Sequence, residues 1–114
     1  MVLKRFVLIL LSFCAFSTLA SERAETAWKL IDQGALLVDV RTPAEFNQQH
    51  LDNAVNYPLN TVATAFNHID KNRSIVVYCR SGNRSGQALR YLKQVGFTQV
   101  HNGGGLQELL AAKK

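Results

Sequence analysis

Apolar residues recur along this chain in two alternating rhythms. One is a short unbroken run of strand length, the other a set spaced three and four apart that marks one side of a helix. In "AETAWKLID" the residues Ala24, Ala27, Leu30 and Ile31 share a face, and Gly34 supplies a stop. "ALLVDV" is apolar except for Asp39. "TPAEF" after it carries Thr42 as N-cap, Pro43 at the first helical position and Glu45 where a capping box needs it. The order then repeats. "AVNY" predicts a short strand closed by Pro58, "NTVATAFNHI" a helix with Val62, Ala65, Phe66 and Ile69 on one side, and "KNRS" a turn. "SIVVYC" is the strongest strand pattern, and "SGQALRYLKQVG" predicts a helix that turns Ala88, Leu89, Leu92 and Val95 inward and stops at Gly96. "FTQV" predicts a last strand, "NGGG" a glycine-rich link and "LQELLAA" a final helix. The single Trp28 reads as a packing residue.

Strands that alternate with helices, several of them apolar on both faces, predict an α/β fold with a mainly parallel central sheet and helices on both faces. Ligands of such sheets sit beyond the carboxyl ends of the strands, where "CRSGNRS" falls. No repeat, low-complexity tract or linker follows residue 20, so a single domain is expected over residues 21–114.

The first twenty residues break the rhythm. Lys4 and Arg5 precede the apolar run Phe6 to Phe16, and "STLA" then offers Thr18 and Ala20 at the minus-three and minus-one positions of a cleavage site. The run is short of the roughly 20 residues that a membrane span needs, so residues 1–20 are expected to be a signal peptide rather than an anchor. The bulky Phe13 before Cys14 disfavours a lipoprotein. Export points to a bacterial periplasm, with secretion into the medium as the alternative and no stable membrane association after cleavage.

Charge adds a constraint on partners. The chain carries 13 Lys and Arg against 8 Asp and Glu, a net charge of +5, and Lys4 and Arg5 lie in the leader. The remaining excess is modest and scattered rather than interleaved with aromatics, which disfavours nucleic acid and suits small anions. Of the 2 cysteines only Cys79 lies beyond residue 20, so an intramolecular disulfide in a processed chain is excluded. No pair of histidines has metal spacing, and neither metal nor cofactor is expected. A monomer is the expected state. An exported protein with one unpaired thiol either buries it or keeps it for its reactivity.

Cys79 ends a buried strand and is followed by a short polar loop and a helix start, a position of positive potential. Backbone N–H groups of residues 80–85 can converge there, the helix adds its N-terminal dipole, and Arg80 and Arg84 add charge. All three favour thiolate, and hence a nucleophile near neutral pH. Gly82 and Gly86 permit close approach, while Ser81 and Ser85 suit turn, N-cap or anion contacts. Loop length bears on the chemistry. A phosphatase-like loop places five residues between cysteine and a phosphate-gripping arginine; here position 85 is serine and Arg84 comes one residue earlier. The tighter loop fits a single sulfur better than a phosphoryl group.

These residues resemble the rhodanese family, and within it the single-domain, exported thiosulfate sulfurtransferases of the phage-shock-protein E type. Three stretches carry the likeness between Leu36 and Leu110: "LLVDVRTPAEFNQQHLDNAVNYPL", the six-residue loop that begins at Cys79, and "VGFTQVHNGGGL". The resemblance implies that Cys79 is catalytic. Its thiolate would take the outer sulfur of thiosulfate, release sulfite and pass the sulfur to cyanide or a thiol. The loop Arg80, Ser81, Gly82, Asn83, Arg84 and Ser85 would bind the donor and the persulfide. Asp39 and Arg41 match the family's Asp-Val-Arg pattern and are expected to support the sheet. Glu45 is expected in its capping box and His50 in local packing, with His68 and His101 at the surface or a strand end. Where the family often has tryptophan after the late glycines, this chain has Leu106. The rival readings are a non-catalytic binding or sulfur-sensing module, a Cys-loop phosphatase or arsenate-reductase-like enzyme, and a redox thiol carrier.

Overall fold

Five consecutive residues, Ile75–Cys79, are buried without exception, and the sheet is built around them. This strand, β3, alternates its side chains between the two faces of the sheet, as the two-residue period requires. Ile75, Val77 and Cys79 enter one apolar cluster with Val38, Val40, Phe66, Ala88 and Leu92. Val76 and Tyr78 enter the other, with Ala24, Ala27, Leu37, Leu51, Leu106 and Leu109. Burying each of the larger side chains contributes about 1.5–3 kcal/mol.

The computed structural model describes residues 22–114; the expected signal peptide lies outside the described residues. Helix α1 spans residues 22–32 and is followed by β1 (Leu36–Asp39), α2 (Pro43–Gln48) and β2 (Val55–Asn56). A 3-10 turn (Leu59–Thr61) and α3 (Val62–Ala65) lead to β3, and α4 (Asn83–Gln94), β4 (Val100–Gly105) and α5 (Leu106–Ala112) complete the chain. The four strands are parallel, in the order β2-β1-β3-β4. Helices α3 and α4 cover one face, α1 and α5 the other. From β1 the chain moves outward to β2 and then returns to the opposite side as β3. The carboxyl ends of β1 and β3 therefore flank a topological switch point, the usual ligand crevice of such sheets. No helix among the described residues is long and apolar enough to cross a membrane.

The predicted α/β architecture is the one observed, and several local expectations hold. Thr42 caps α2 with Pro43 in its first turn and a complete capping box to Glu45. Gly34 and Gly96 end their helices with positive φ. Trp28 packs against the second cluster, and its indole N–H donates to the Leu109 carbonyl at 2.8 Å.

Four details differ from the sequence expectation. The helix expected in "NTVATAFNHI" is a 3-10 turn plus one short α-helical turn, because the chain leaves helical geometry at Phe66. Val62 and Phe66 are buried nonetheless. Helix α4 begins at Asn83 rather than Ser85, capped by Gly82 in the left-handed conformation, φ 95. Ser85 is therefore inside the first helical turn and is not the N-cap. Val95, expected inward, is 40% exposed because it falls at the C-cap, where the helix unwinds.

The last strand runs through the glycines, Val100–Gly105, instead of "FTQV". Packing explains this shift. A Cβ on Gly103 would stand 3.2 Å from both Ala27 and Val76, and one on Gly105 would collide with the Arg80 carbonyl. Strand β4 thus lies against the start of the cysteine loop, at a distance that only glycine allows. Gly105→Ala is expected to lower unfolding free energy by about 1–3 kcal/mol and to displace Arg80. Urea denaturation checks this, and a midpoint unchanged from the parent would contradict the close approach.

Candidate functional site

The site is assembled where β1, β3 and β4 end. Cys79 is 1% exposed, and its sulfur faces the loop that follows. The left-handed Gly82 folds the chain back so that its N–H donates to Cys79 Sγ at 3.0 Å. The early start of α4 places the Ser85 hydroxyl 3.3 Å from the same sulfur. Burial pushes the Cys79 thiol up, but the Ser85 hydroxyl and the amides of Ser85, Ser81 and Gly82 together outweigh it. The net direction is downward, toward thiolate.

Behind the loop, the end of β1 holds a buried ion pair. Asp39 is fully buried and Arg41 is 6% exposed. Arg41 Nη2 donates to Asp39 Oδ2 and to the Gln49 carbonyl, each at 2.6 Å. The Asn56 amide spans the carbonyls of Asp39 and Arg41 at 3.0 Å each. Removing one member of such a pair commonly costs about 3–5 kcal/mol, because its partner is left as an unpaired buried charge. Beside the pair, the buried Tyr78 hydroxyl accepts the Leu51 N–H at 3.1 Å, and burial pushes its phenol up.

Two arginine–carboxylate clamps grip the loop from opposite sides. Arg84 is bound by both oxygens of Glu45, at 2.8 and 2.9 Å, so Glu45 caps α2 and holds the loop at once. On the other side Arg23 of α1 is bound by both oxygens of Glu108, at 2.7 and 2.8 Å, and donates to the Ser81 carbonyl at 3.2 Å. The pKa of Arg84 is raised first by its bond to Glu45 and that of Arg23 first by Glu108. The Cys79 sulfur adds to both in smaller part.

Arg80 is exposed. It lines a cleft of about 410 Å³ with Arg41, Glu45, Gln48, Gln49, Leu106 and Gln107. A somewhat larger cavity, about 460 Å³, lies between α1 and the C-terminal residues around Trp28 and Lys113. Its lining includes neither Cys79 nor any residue of the loop that follows it.

The loop Arg80–Ser85 therefore comes together around Cys79, with Asp39 and Arg41 behind it, although Asn83 opens α4 without contacting the sulfur and instead accepts from Gln87 at 3.3 Å. His50 stacks on Phe46 with centroids 3.8 Å apart and bonds the Phe46 carbonyl, and His68 is exposed. His101 sits in β4 and bonds the Arg23 carbonyl at 2.8 Å. Among the described residues no three His, Cys, Asp or Glu side chains gather as a metal would require.

Three residues of this site escaped the sequence reading. Arg23 and Glu108 lie in amphipathic helices, where a charged residue ordinarily faces water, and nothing local marks them. Asn102 left a fainter signal, as a polar residue opening a glycine run. It accepts from the Ser85 hydroxyl at 2.7 Å and donates to the Gly82 carbonyl at 3.0 Å.

The pattern of the family described as Rhodanese-like domain matches residues 23–112. The chain belongs to the rhodanese family. It is 42% identical over 80 residues to Thiosulfate sulfurtransferase PspE of Escherichia coli (strain K12), covering 67% of this chain and 75% of that protein. It is 38% identical over 85 residues to Thiosulfate sulfurtransferase GlpE of Pseudomonas syringae pv. syringae (strain B728a), covering 75% and 80%. Among solved structures, a rhodanese with anions from E. coli aligns with a TM-score of 0.62 at 40% identity, covering 66% of this chain and 91% of that one. The match extends well outside the cysteine loop, so it rests on the whole rhodanese domain rather than on one motif.

The Arg84 clamp makes a pH prediction. Hydrogen bonding to Arg84 is the main reason that the Glu45 carboxyl is held at about 2 rather than 4.5. A depressed carboxylate contributes stability above its unfolded value and loses it as pH falls through the folded one. The stability difference between the parent protein and Glu45→Gln is therefore expected to shrink as pH drops from about 4.5 toward about 2. Denaturant midpoints across that window measure it; a constant difference would contradict the clamp.

Proposed function

We propose that this rhodanese is a thiosulfate sulfurtransferase that works through a persulfide on Cys79. The observation that carries this reading is the setting of the sulfur: it ends β3 at the switch point, with the Gly82 N–H and the Ser85 hydroxyl directed at it. The Cys79 thiolate attacks the outer sulfur of thiosulfate. A bond forms between that sulfur and Sγ, the sulfur–sulfur bond within thiosulfate breaks, and sulfite leaves with the electron pair. A thiophilic acceptor, cyanide or a thiol, then attacks the outer sulfur of the persulfide, and Cys79 departs as thiolate. These are two half-reactions of a ping-pong cycle. Both displacements transfer electron pairs without net oxidation, so the cycle needs no cofactor.

The amides of the loop stabilise negative charge on Cys79 and on the persulfide, acting as an oxyanion hole does. Arg80, exposed in the cleft, receives the dianionic donor, and Arg84, held by the cleft residue Glu45, adds positive charge beside it. Asp39 and Arg41 act as support, fixing the turn from which α2 presents Glu45. The relatives named as thiosulfate sulfurtransferases support thiosulfate as donor. The leader formed by Lys4, Arg5 and the apolar run after them supports export to the periplasm.

Intact mass spectrometry after incubation with thiosulfate tests the reading. The protein is expected to gain the mass of one sulfur atom, to lose it when cyanide is added, and to gain nothing as Cys79→Ser. If Cys79 remains freely alkylated and no mass is gained, thiosulfate is not the donor.

A further inference from the structure

Ser85 carries one hydroxyl hydrogen, and two acceptors compete for it. Its Oγ lies 2.7 Å from Asn102 Oδ1 and 3.3 Å from Cys79 Sγ. Asn102 is fixed in orientation, because Oδ1 also accepts the Gly104 N–H at 3.0 Å while Nδ2 donates to the Gly82 carbonyl at 3.0 Å. Ser85 is fully buried, so solvent does not supply it with a third partner.

The charge on sulfur decides the competition. A neutral thiol is a weak acceptor, but it can donate its own hydrogen to Ser85 Oγ, which leaves the hydroxyl hydrogen to Asn102. A thiolate draws that hydrogen to itself, since hydrogen bonds to an ionised partner are roughly twice as strong as neutral ones. We propose that Asn102 is a positioning residue that competes with Cys79 for the Ser85 hydrogen, making the hydroxyl a two-position relay whose setting follows the charge on sulfur. When the thiol proton leaves to solvent, the O–H rotates from Asn102 to Sγ without movement of a heavy atom. It rotates back when the thiol is reprotonated. Because Asn102 also holds the carbonyl of Gly82, whose N–H points at the same sulfur, it ties the two donors of the cradle to β4.

Other charged groups surround the thiol. They are Arg23 of α1 with Glu108 of α5, Arg84 of α4 with Glu45 of α2, Asp39 with Arg41 at the end of β1, and Arg80 in the loop. Arg90 of α4 approaches Gly86 next to Asn102, and His101 neighbours Asn102 in β4. Their fields act on Cys79 whether or not Ser85 has its hydroxyl. A double-mutant comparison therefore cancels them.

The inference rests on Cys79 being the reacting thiol but not on any sulfur donor. Its test is the pH dependence of Cys79 alkylation by iodoacetamide in the full protein, in Asn102→Asp, in Ser85→Ala and in the double variant. Aspartate keeps the size and the acceptor of Asn102 and adds charge, so it should hold the Ser85 hydrogen more firmly. With Ser85 present, Asn102→Asp is expected to slow alkylation on the acid side of the titration by about ten-fold, equivalent to a shift of about one pKa unit. In the Ser85→Ala background only the added charge and the lost bond to the Gly82 carbonyl act, and the slowing should be about three-fold or less. Equal slowing in both backgrounds overturns the relay. If Asn102→Asp does not fold, Asn102→Ala asks the same question with the opposite sign. Removing the competing acceptor should favour thiolate more when Ser85 is present than when it is absent, and additive effects would overturn the proposal. A protein that takes no sulfur from thiosulfate would still report on the relay.

Discussion

A sulfur atom that is to carry negative charge while buried needs hydrogen-bond donors on the side away from the apolar core. Cys79 is such a sulfur, almost wholly enclosed at the end of an apolar strand, and desolvation alone would hold it as thiol. The turn that follows resolves the conflict. Gly82 takes a left-handed conformation that aims its N–H at Sγ, and the helix begins immediately after it, which brings Ser85 into its first turn beneath the sulfur. Had α4 begun at Ser85, as capping preferences alone suggest, the hydroxyl would have been spent on the helix end.

Much of the surrounding structure restrains this turn. Glu45 and Glu108 each bind an arginine that borders the loop, and the two carboxylates come from helices at opposite sides of the site. The arginines thereby lose much of their reach as free charges. Arg84 is balanced at 2.8 Å by Glu45, so the field at Cys79 owes more to fixed amides and the hydroxyl than the bare count of basic residues implies. Arg80 is differently placed, exposed in the cleft. The buried Asp39–Arg41 pair lies one step further out, setting the turn into α2 and hence the position of Glu45.

The architecture was legible because its signals were local. Four apolar residues in a row before Cys79, the Thr42-Pro43-Glu45 helix start and the glycine stops at Gly34 and Gly96 each act within a few residues. The cysteine loop was legible for the same reason, since thiol, glycine and serine lie within six positions. What could not be read depended on distant packing. The glycines after Asn102 looked like a link, but they form a strand because β4 must pass within contact of Ala27, Val76 and the Arg80 carbonyl. The partners of Arg23 and of Ser85 were likewise invisible, since no spacing along the chain relates α1 to α5 or α4 to the edge strand.

The Arg23–Glu108 clamp joins residues 85 positions apart, and through it the two ends of the described chain meet at the cysteine turn. Strand β3 is held by β1 and β4, both distant in sequence, and the loop after it is fastened on the α1 side only when α5 docks. The cysteine turn is consequently complete only when both ends of the described chain have docked against it, although neither end touches the sulfur by a hydrogen bond.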